Sequence, residues 1–381
     1  MKFLMVMITI GVLGSAAAPV RGEEKSAMWM YIGTSSGKKS EGIYVVGLDA
    51  ATGKFAGAPQ LAAKARRATF LAIHPQQRWL YAVDEVENAD GMKTGAVMAY
   101  DIDATTGMLR EKNHQSSGGK GPCFVSIDQA GKNALVANYS SGVVAVLPIG
   151  DDGTLRPPSA VVQHEGKGKD PKRQEGPHAH SFYNDPTGQW ALAADLGIDK
   201  VMISKLDAEK GTLTAQGSGD VPAGAGPRHL AFGKGGKFCY VINELASTVT
   251  VFGWDAAAGK LENLQTVSAL PEGVATKTYS AEILLHPSGR YLYASNRGHD
   301  SIAVFTIDEA SGKIALKGNV PCGGKWPRNF GIDPTGRWLV VAHERSDSVT
   351  VFDIDAATGN LRQTGEKIEV GSPMCVRFLL R

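Results

Sequence analysis

The chain is poor in three things that would settle its class at once. Net charge is small: 40 Lys and Arg stand against 38 Asp and Glu, leaving +2. No basic run occurs, and the pairs Arg66-Arg67 and Lys172-Arg173 read as ordinary solvated surface, so nucleic acid is not an expected partner. Cysteines number 4, at positions 123, 239, 322 and 375, widely spaced and without a CxxC. An even count permits disulfides in an exported protein, but Cys123, Cys239, Cys322 and Cys375 read more simply as small buried residues. No metal site is expected from them, and no cofactor. Beyond the first residues no apolar run reaches the length needed for a bilayer of about 30 Å, so no span is expected in the mature chain.

The one apolar run stands at the start. Lys2 supplies a charge, Phe3 to Leu13 is apolar, and Ser15 to Ala18 is small. That order is the pattern of a signal peptide, read here as residues 1–23 with the cut between Ala17 and Glu24. A buried N-terminal strand is the alternative. Export to the periplasm or the medium follows from the first reading, with one folded domain over 28–381.

Glycine, by contrast, is plentiful at 46 residues. It supplies the positive φ of tight turns, which suits an all-β chain with many hairpins. The turn His286-Pro-Ser-Gly289 recurs as His74 to Gln77, Asp128 to Gly131, Asp185 to Gly188, Gly233 to Gly236 and Asp333 to Gly336. Each copy is followed by an apolar aromatic run such as Trp79 to Val83 or Tyr291 to Ser295, then by a third run such as Ser247 to Phe252. A second turn follows, as in Asp308 to Gly312 and Asp355 to Gly359. The runs are short and rich in Val, Ile and aromatics, so they predict strands, about four per repeat. One four-stranded sheet cannot bury both faces alone; sheets stacked around an axis can. Six full copies are present, and the ends complete a seventh: Ser372 to Phe378 matches an innermost strand, and Met30 to Thr34 and Gly42 to Leu48 match the next two. The expectation is an all-β seven-bladed propeller of four-stranded antiparallel blades, closed by its termini, rather than a β-sandwich.

Repeats can be aligned within one chain. Counting from the first residue of each first turn, position −5 holds Thr69, Cys123, His180, Arg228, Ala281 and Arg328. Position +10 holds Asp84, Asn138, Asp195, Asn243, Asn296 and His343, and position +11 holds Glu85, Tyr139, Leu196, Glu244, Arg297 and Glu344. Equivalent positions form rings around the axis, so all three columns are expected at one mouth of the channel. The polar +10 column suits side chains that cap turns through backbone bonds. The other two change from blade to blade, which capping does not explain, and converging charge suggests a ligand pocket; a purely structural Arg–Glu network is the alternative. His178 is either a second imidazole there or part of a loop. His229, one residue after Arg228, is expected by strand alternation to point away from it.

The segments Gly176-Pro-His-Ala-His180, Gly226-Pro-Arg-His229, Val241-Ile-Asn-Glu-Leu245, Ser295-Asn-Arg-Gly298 and Trp326-Pro-Arg-Asn-Phe330 give the chain a likeness to a known family. It resembles the lactonase family of seven-bladed propellers, which contains bacterial 6-phosphogluconolactonase and fungal 3-carboxy-cis,cis-muconate cyclase. The resemblance covers nearly all of the mature chain. It implies an active site of His180, Arg228, Glu244 and Arg297, and opening of a sugar-acid lactone. That chemistry needs a proton acceptor for water, which Glu244 or His180 could be, and positive charge for the oxyanion or a substrate anion, which Arg228 and Arg297 could supply. His178, Arg328, Asn243, Asn296 and Glu344 are the further candidates for substrate contact. No serine nucleophile, cofactor or metal is called for. The partner is expected to be a small lactone or organic-acid anion, and the protein a monomer. Export departs from the resemblance, since 6-phosphogluconolactone is a cytoplasmic metabolite. A muconate-cyclase-like isomerase and a non-catalytic propeller binding a ligand or protein stay open beside the lactonase.

Overall fold

The structure is a computed structural model, and it describes residues 27–35, 37, 39–274 and 276–380. The signal segment read at 1–23 lies outside the described residues. Among them, all regular structure is strand, in seven four-stranded antiparallel sheets. Blades 1 to 6 follow the chain, each running from an inner strand outward: Leu71–Ile73, Pro122–Ile127, Ala179–Asn184, Pro227–Phe232, Tyr279–Leu285 and Pro327–Ile332 open them. Blade 7 is split as its sequence implies. Pro373–Leu380 is its inner strand and pairs antiparallel with Ala27–Thr34, which pairs with Gly42–Asp49. The ring therefore closes by backbone hydrogen bonds between the two ends, leaving no open sheet edge there.

The second strands Trp79–Asp84 and Trp190–Asp195 are buried at every residue, while the outermost strand Thr212–Asp220 is largely exposed. Each sheet is covered on both faces by its neighbours, which is why the inner runs are continuously apolar instead of alternating. Between blades 4 and 5, for instance, Tyr240, Ile242 and Val251 pack with Leu292, Ala294 and Phe305. The cysteines Cys123, Cys239, Cys322 and Cys375 are all free and buried, as the sequence suggested.

One joint recurs around the ring. The aromatic residue that opens a second strand lies under the glycine of the next blade's outer turn. A Cβ on Gly259 would stand 2.5 Å from the Trp190 ring, and one on Gly53 would stand 2.7 Å from that of Trp338. Only a residue without a side chain closes this contact, and the positive φ of Gly259 (62°) points the same way. The indole nitrogens of Trp190 and Trp338 donate to Ala256 O and Ala50 O, both at 2.8 Å. In blade 2 the position holds Asn133, whose amide makes the same bond to Ala208 O at 2.8 Å. Loss of such an aromatic side chain to alanine costs about 3–5 kcal/mol.

The inner strands carry a second recurring device. In blades 2, 3, 4 and 6 the pairing register skips one residue: Cys123, His180, Arg228 and Arg328. These are the −5 positions. A bulge leaves its extra residue unpaired and re-aims the side chain. It also interrupts alternation, so two successive residues can face the same way. That overturns the expectation for His229: its ring lies against Phe70, Phe124 and His180 in the channel, and its Nε2 is 3.4 Å from Arg228 Nη1.

Candidate active site

At one end of the channel lies a cavity of about 410 Å³. From the −5 column it is lined by Cys123, His180 and Arg328, and from the +11 column by Glu85, Tyr139, Glu244, Arg297 and Glu344. Arg173, Tyr279, Trp326 and Arg345 complete the wall. The +11 residues are held by a repeated bond. Their amides donate to the carbonyl of position −7: Glu85 to Arg67, Tyr139 to Gly121, Leu196 to His178, Glu244 to Gly226 and Glu344 to Trp326, at 2.7–3.2 Å.

Glu244 is the most heavily bonded group. Its Oε2 accepts from Arg228 Nε at 3.0 Å and faces Arg297 Nη2 at 2.8 Å, and its Oε1 accepts from Arg173 Nη2 at 2.8 Å. Burial alone would raise its pKa, but Arg297, Arg228 and Arg173 outweigh it and hold the carboxyl far below its usual range. So anchored, Glu244 is a weak base. Arg228 itself lies just beneath the cavity, where its Nη1 also donates to Ala281 O at 2.6 Å.

His180 is 5% exposed. Its Nδ1 lies 3.7 Å from the Cys123 sulfur, and its ring meets Tyr139 and His229 edge-on. Burial first, then the charge of Arg228, keeps its pKa well below 6.5. The ring is therefore a neutral imidazole at neutral pH, able to accept a proton. The neighbouring Cys123 thiol is pushed strongly upward by burial, so it stays protonated.

The far side of the cavity is less closely paired. Arg328 Nη1 stands 3.6 Å from Glu344 Oε2, and that oxygen has no hydrogen-bond partner among the described residues. Arg345 is exposed and lays its guanidinium 3.4 Å from the Trp326 ring centre. Arg297 stands 5.6 Å from the same ring. Trp326 holds this place with a φ of 65°, where blades 2 and 4 use Gly121 and Gly226 at 61° and 66°. Left-handed backbone costs a bulky residue about 1–2 kcal/mol, so the site spends stability to place this indole.

Not every predicted residue reaches the cavity. Asn243 and Asn296 turn their amides inside the blades, to Thr248 and Thr250 hydroxyls and to Ala269 O respectively. The +10 amides of Asn243 and Asn296 point into the sheet layer and brace the blades, and the next residues, Glu244 and Arg297, face the opening. His178 stacks on Tyr139 and bonds Tyr139 O at 3.0 Å, beside the cavity rather than in its wall. The solvated reading of the basic pairs holds for the exposed Arg66 and Lys172 but fails for Arg173. Arg173 reaches Glu244 and the Tyr139 hydroxyl, because the loop after blade 2 is tied across the mouth by Gln174 to Leu196 O and Asp199. Arg66 grips Asp84, and Arg67 donates to Glu85 O. Tyr279 and Trp326 occupy position −7, so the same repeat alignment would have found them. Arg173 lies outside any repeat register and left no such signal.

Gly33-Thr-Ser-Ser-Gly37 spells the letters of a nucleophile elbow. Yet Ser35 follows the strand Ala27–Thr34, and the described residues between it and the strand Gly42–Asp49 hold no helix of the kind an elbow opens. Ser35 is also absent from the cavity wall.

Known proteins resemble the whole of this architecture. Residues 29–378 match the family model described as lactonase, 7-bladed β-propeller. A 6-phosphogluconolactonase of Bacillus subtilis (strain 168) is 40% identical over 349 residues, 92% of this chain and 97% of that protein. One from Formosa agariphila is 32% identical over 80% of this chain and 86% of its own. Among solved structures, the periplasmic gluconolactonase of Pseudomonas aeruginosa superposes with a TM-score of 0.87 at 34% identity, covering 93% of this chain and 99% of that one.

Proposed function

The chain belongs to the lactonase family of seven-bladed β-propellers, and from that premise we propose that it hydrolyses an anionic sugar-acid lactone with His180 as the general base. The observation that carries this reading is the position of the His180 imidazole in the wall of a cavity ringed by guanidiniums. Among the described residues no protein group bonds its Nε2. In the proposed reaction His180 takes a proton from water as the water oxygen adds to the lactone carbonyl. The carbonyl oxygen becomes an oxyanion, stabilised by Arg297 of the Glu244 cluster. The tetrahedral centre then collapses, the ring C–O bond breaks, and the imidazolium returns the proton to the departing oxygen. The product is the open hydroxy acid.

Glu244 takes a different part from the one its carboxylate first suggests. Three guanidiniums hold it ionised, so it organises Arg173, Arg228 and Arg297 rather than accepting the proton. The substrate's anionic group, a phosphate or carboxylate, is assigned to Arg328 and Arg345, whose charges are the least neutralised in the wall. A cavity of about 410 Å³ suits a molecule of sugar size. The test is a panel of lactones, phosphorylated and not, with purified protein. Hydrolysis above the buffer rate, fastest for an anionic member, is expected; no hydrolysis of any member defeats the reading. Export through residues 1–23 is part of the proposal, in keeping with the periplasmic relative, and N-terminal sequencing of protein recovered from the periplasm or medium checks it.

A further inference from the structure

Beneath the cavity the channel holds a line of buried polar groups that the proposed reaction does not use. His229 is 1% exposed, Glu282 2% and Asn329 1%. They lie on the inner strands of blades 4, 5 and 6. His229 Nδ1 is 2.8 Å from Glu282 Oε1, which also accepts from Ile283 N at 3.0 Å. Glu282 Oε2 accepts from the Asn329 amide, and Asn329 Oδ1 accepts from Val376 N of blade 7 at 2.8 Å. On its other side His229 Nε2 faces Arg228 Nη1 at 3.4 Å, and Arg228 Nε donates to Glu244 at 3.0 Å. A single row thus runs from the closing strand of the ring, through three blades, to the carboxylate of the candidate site.

The chemistry of the neighbours fixes the state of the imidazole. An ionised carboxylate only accepts, so His229 Nδ1 must carry a proton. A guanidinium only donates, so His229 Nε2 must be bare. One neutral tautomer satisfies both. A charged imidazole would set an N–H against the guanidinium, and the other neutral tautomer would do the same while leaving Glu282 without its donor. We propose that Glu282 is a positioning residue of this site: through His229 it sets the orientation of Arg228, and through Arg228 that of Glu244. The proposal rests on the lactonase reading for its effect on rate, but not for the state of His229.

The hydrogen-bond pattern suggests a test that separates charge from packing. Glu282→Gln keeps the shape but turns an amide toward the Asn329 amide, donor against donor. Glu282→Gln with Asn329→Asp restores that bond and moves the carboxylate one residue away from His229. The full chain is labelled with ¹⁵N-histidine, and the two variants are compared with wild type by melting, by steady-state kinetics on the best lactone of the panel, and by imidazole ¹⁵N shifts at neutral pH. Wild type should show His229 as the Nδ1–H tautomer. Glu282→Gln should melt lower and lose about 10- to 100-fold in kcat with a smaller change in KM, the range expected when a catalytic group is displaced by a fraction of an ångström to an ångström. The double variant should recover its melting temperature but not its kcat. Recovery of both would show that Glu282 serves packing alone and would overturn the proposal. So would a charged or Nε2–H His229 in wild type, which is decided even if neither variant folds. If wild type opens no lactone, the functional reading fails while the tautomer result still decides the row.

Discussion

The two sides of the cavity present the same kind of residue in opposite circumstances. Glu244 and Glu344 occupy one repeat position in blades 4 and 6. Glu244 is bound by three guanidiniums at 2.8–3.0 Å. Among the described residues Glu344 has only Arg328, at 3.6 Å, and one oxygen without a hydrogen bond. The propeller scaffold makes the two backbones equivalent, so the difference comes from what neighbouring blades and loops bring. Arg228, Arg297 and the loop residue Arg173 close on Glu244 and spend their charge on it. Around Glu344 positive charge is left over, from Arg328 and Arg345. The closed side is a frame, and the open side has charge to offer a ligand.

The sharpest break of this comparison is the pair of variants Glu244→Gln and Glu344→Gln. The first leaves buried guanidiniums facing one another and should cost about 3–5 kcal/mol in urea unfolding, as the loss of one member of a buried ion pair does. The second should cost within about 1 kcal/mol, the range of a partly exposed pair. Equal losses would erase the distinction between frame and open side.

Next in size, His180→Ala should lower kcat about 100-fold or more on the preferred lactone while the melting curve stays cooperative. A rate within a few-fold of wild type would move the base elsewhere in the wall. On the open side, Arg328→Ala should raise KM for an anionic lactone about 10- to 100-fold and leave a neutral lactone much less affected, since a bond to a charged group contributes about 1.5–3 kcal/mol. The same loss on both substrates would remove Arg328 from anion binding.

The most gradual effect involves acid. Burial lowers the pKa of His229 and of His343 from 6.5 to about 4, and that of His180 well below 6.5. A histidine held neutral in the fold binds fewer protons than it does unfolded, so stability is lost as pH falls below about 6.5 and goes on falling toward the folded values. Each imidazole adds up to about 1.4 kcal/mol per pH unit in that window. Urea midpoints at pH 7 and pH 5.5 should fall in that order, before the paired carboxylates Glu244 and Glu282 begin to take protons. His343→Gln should flatten the slope without touching the rate. A midpoint independent of pH between those values would contradict the burial argument.

Repeat spacing alone determined that this is a seven-bladed ring, which termini close it, and that positions −5 and +11 gather at one mouth. The reason is physical. A blade cannot bury itself, so each copy must meet its neighbours at the same places, and equal spacing in the chain becomes equal position around the axis. His180, Arg228, Glu244, Arg297 and Arg328 are legible from the repeat positions alone. Tertiary structure decided what the spacing could not carry. The bulge turns His229 inward beside Arg228, because two inner-strand residues there oppose one partner. The loop after blade 2 brings Arg173 onto Glu244, from a stretch that has no copy elsewhere in the chain. And the part taken by Glu244 itself, anchor rather than base, follows from three guanidiniums that converge from separate parts of the chain. A linear sequence names those groups but does not state the distances between them.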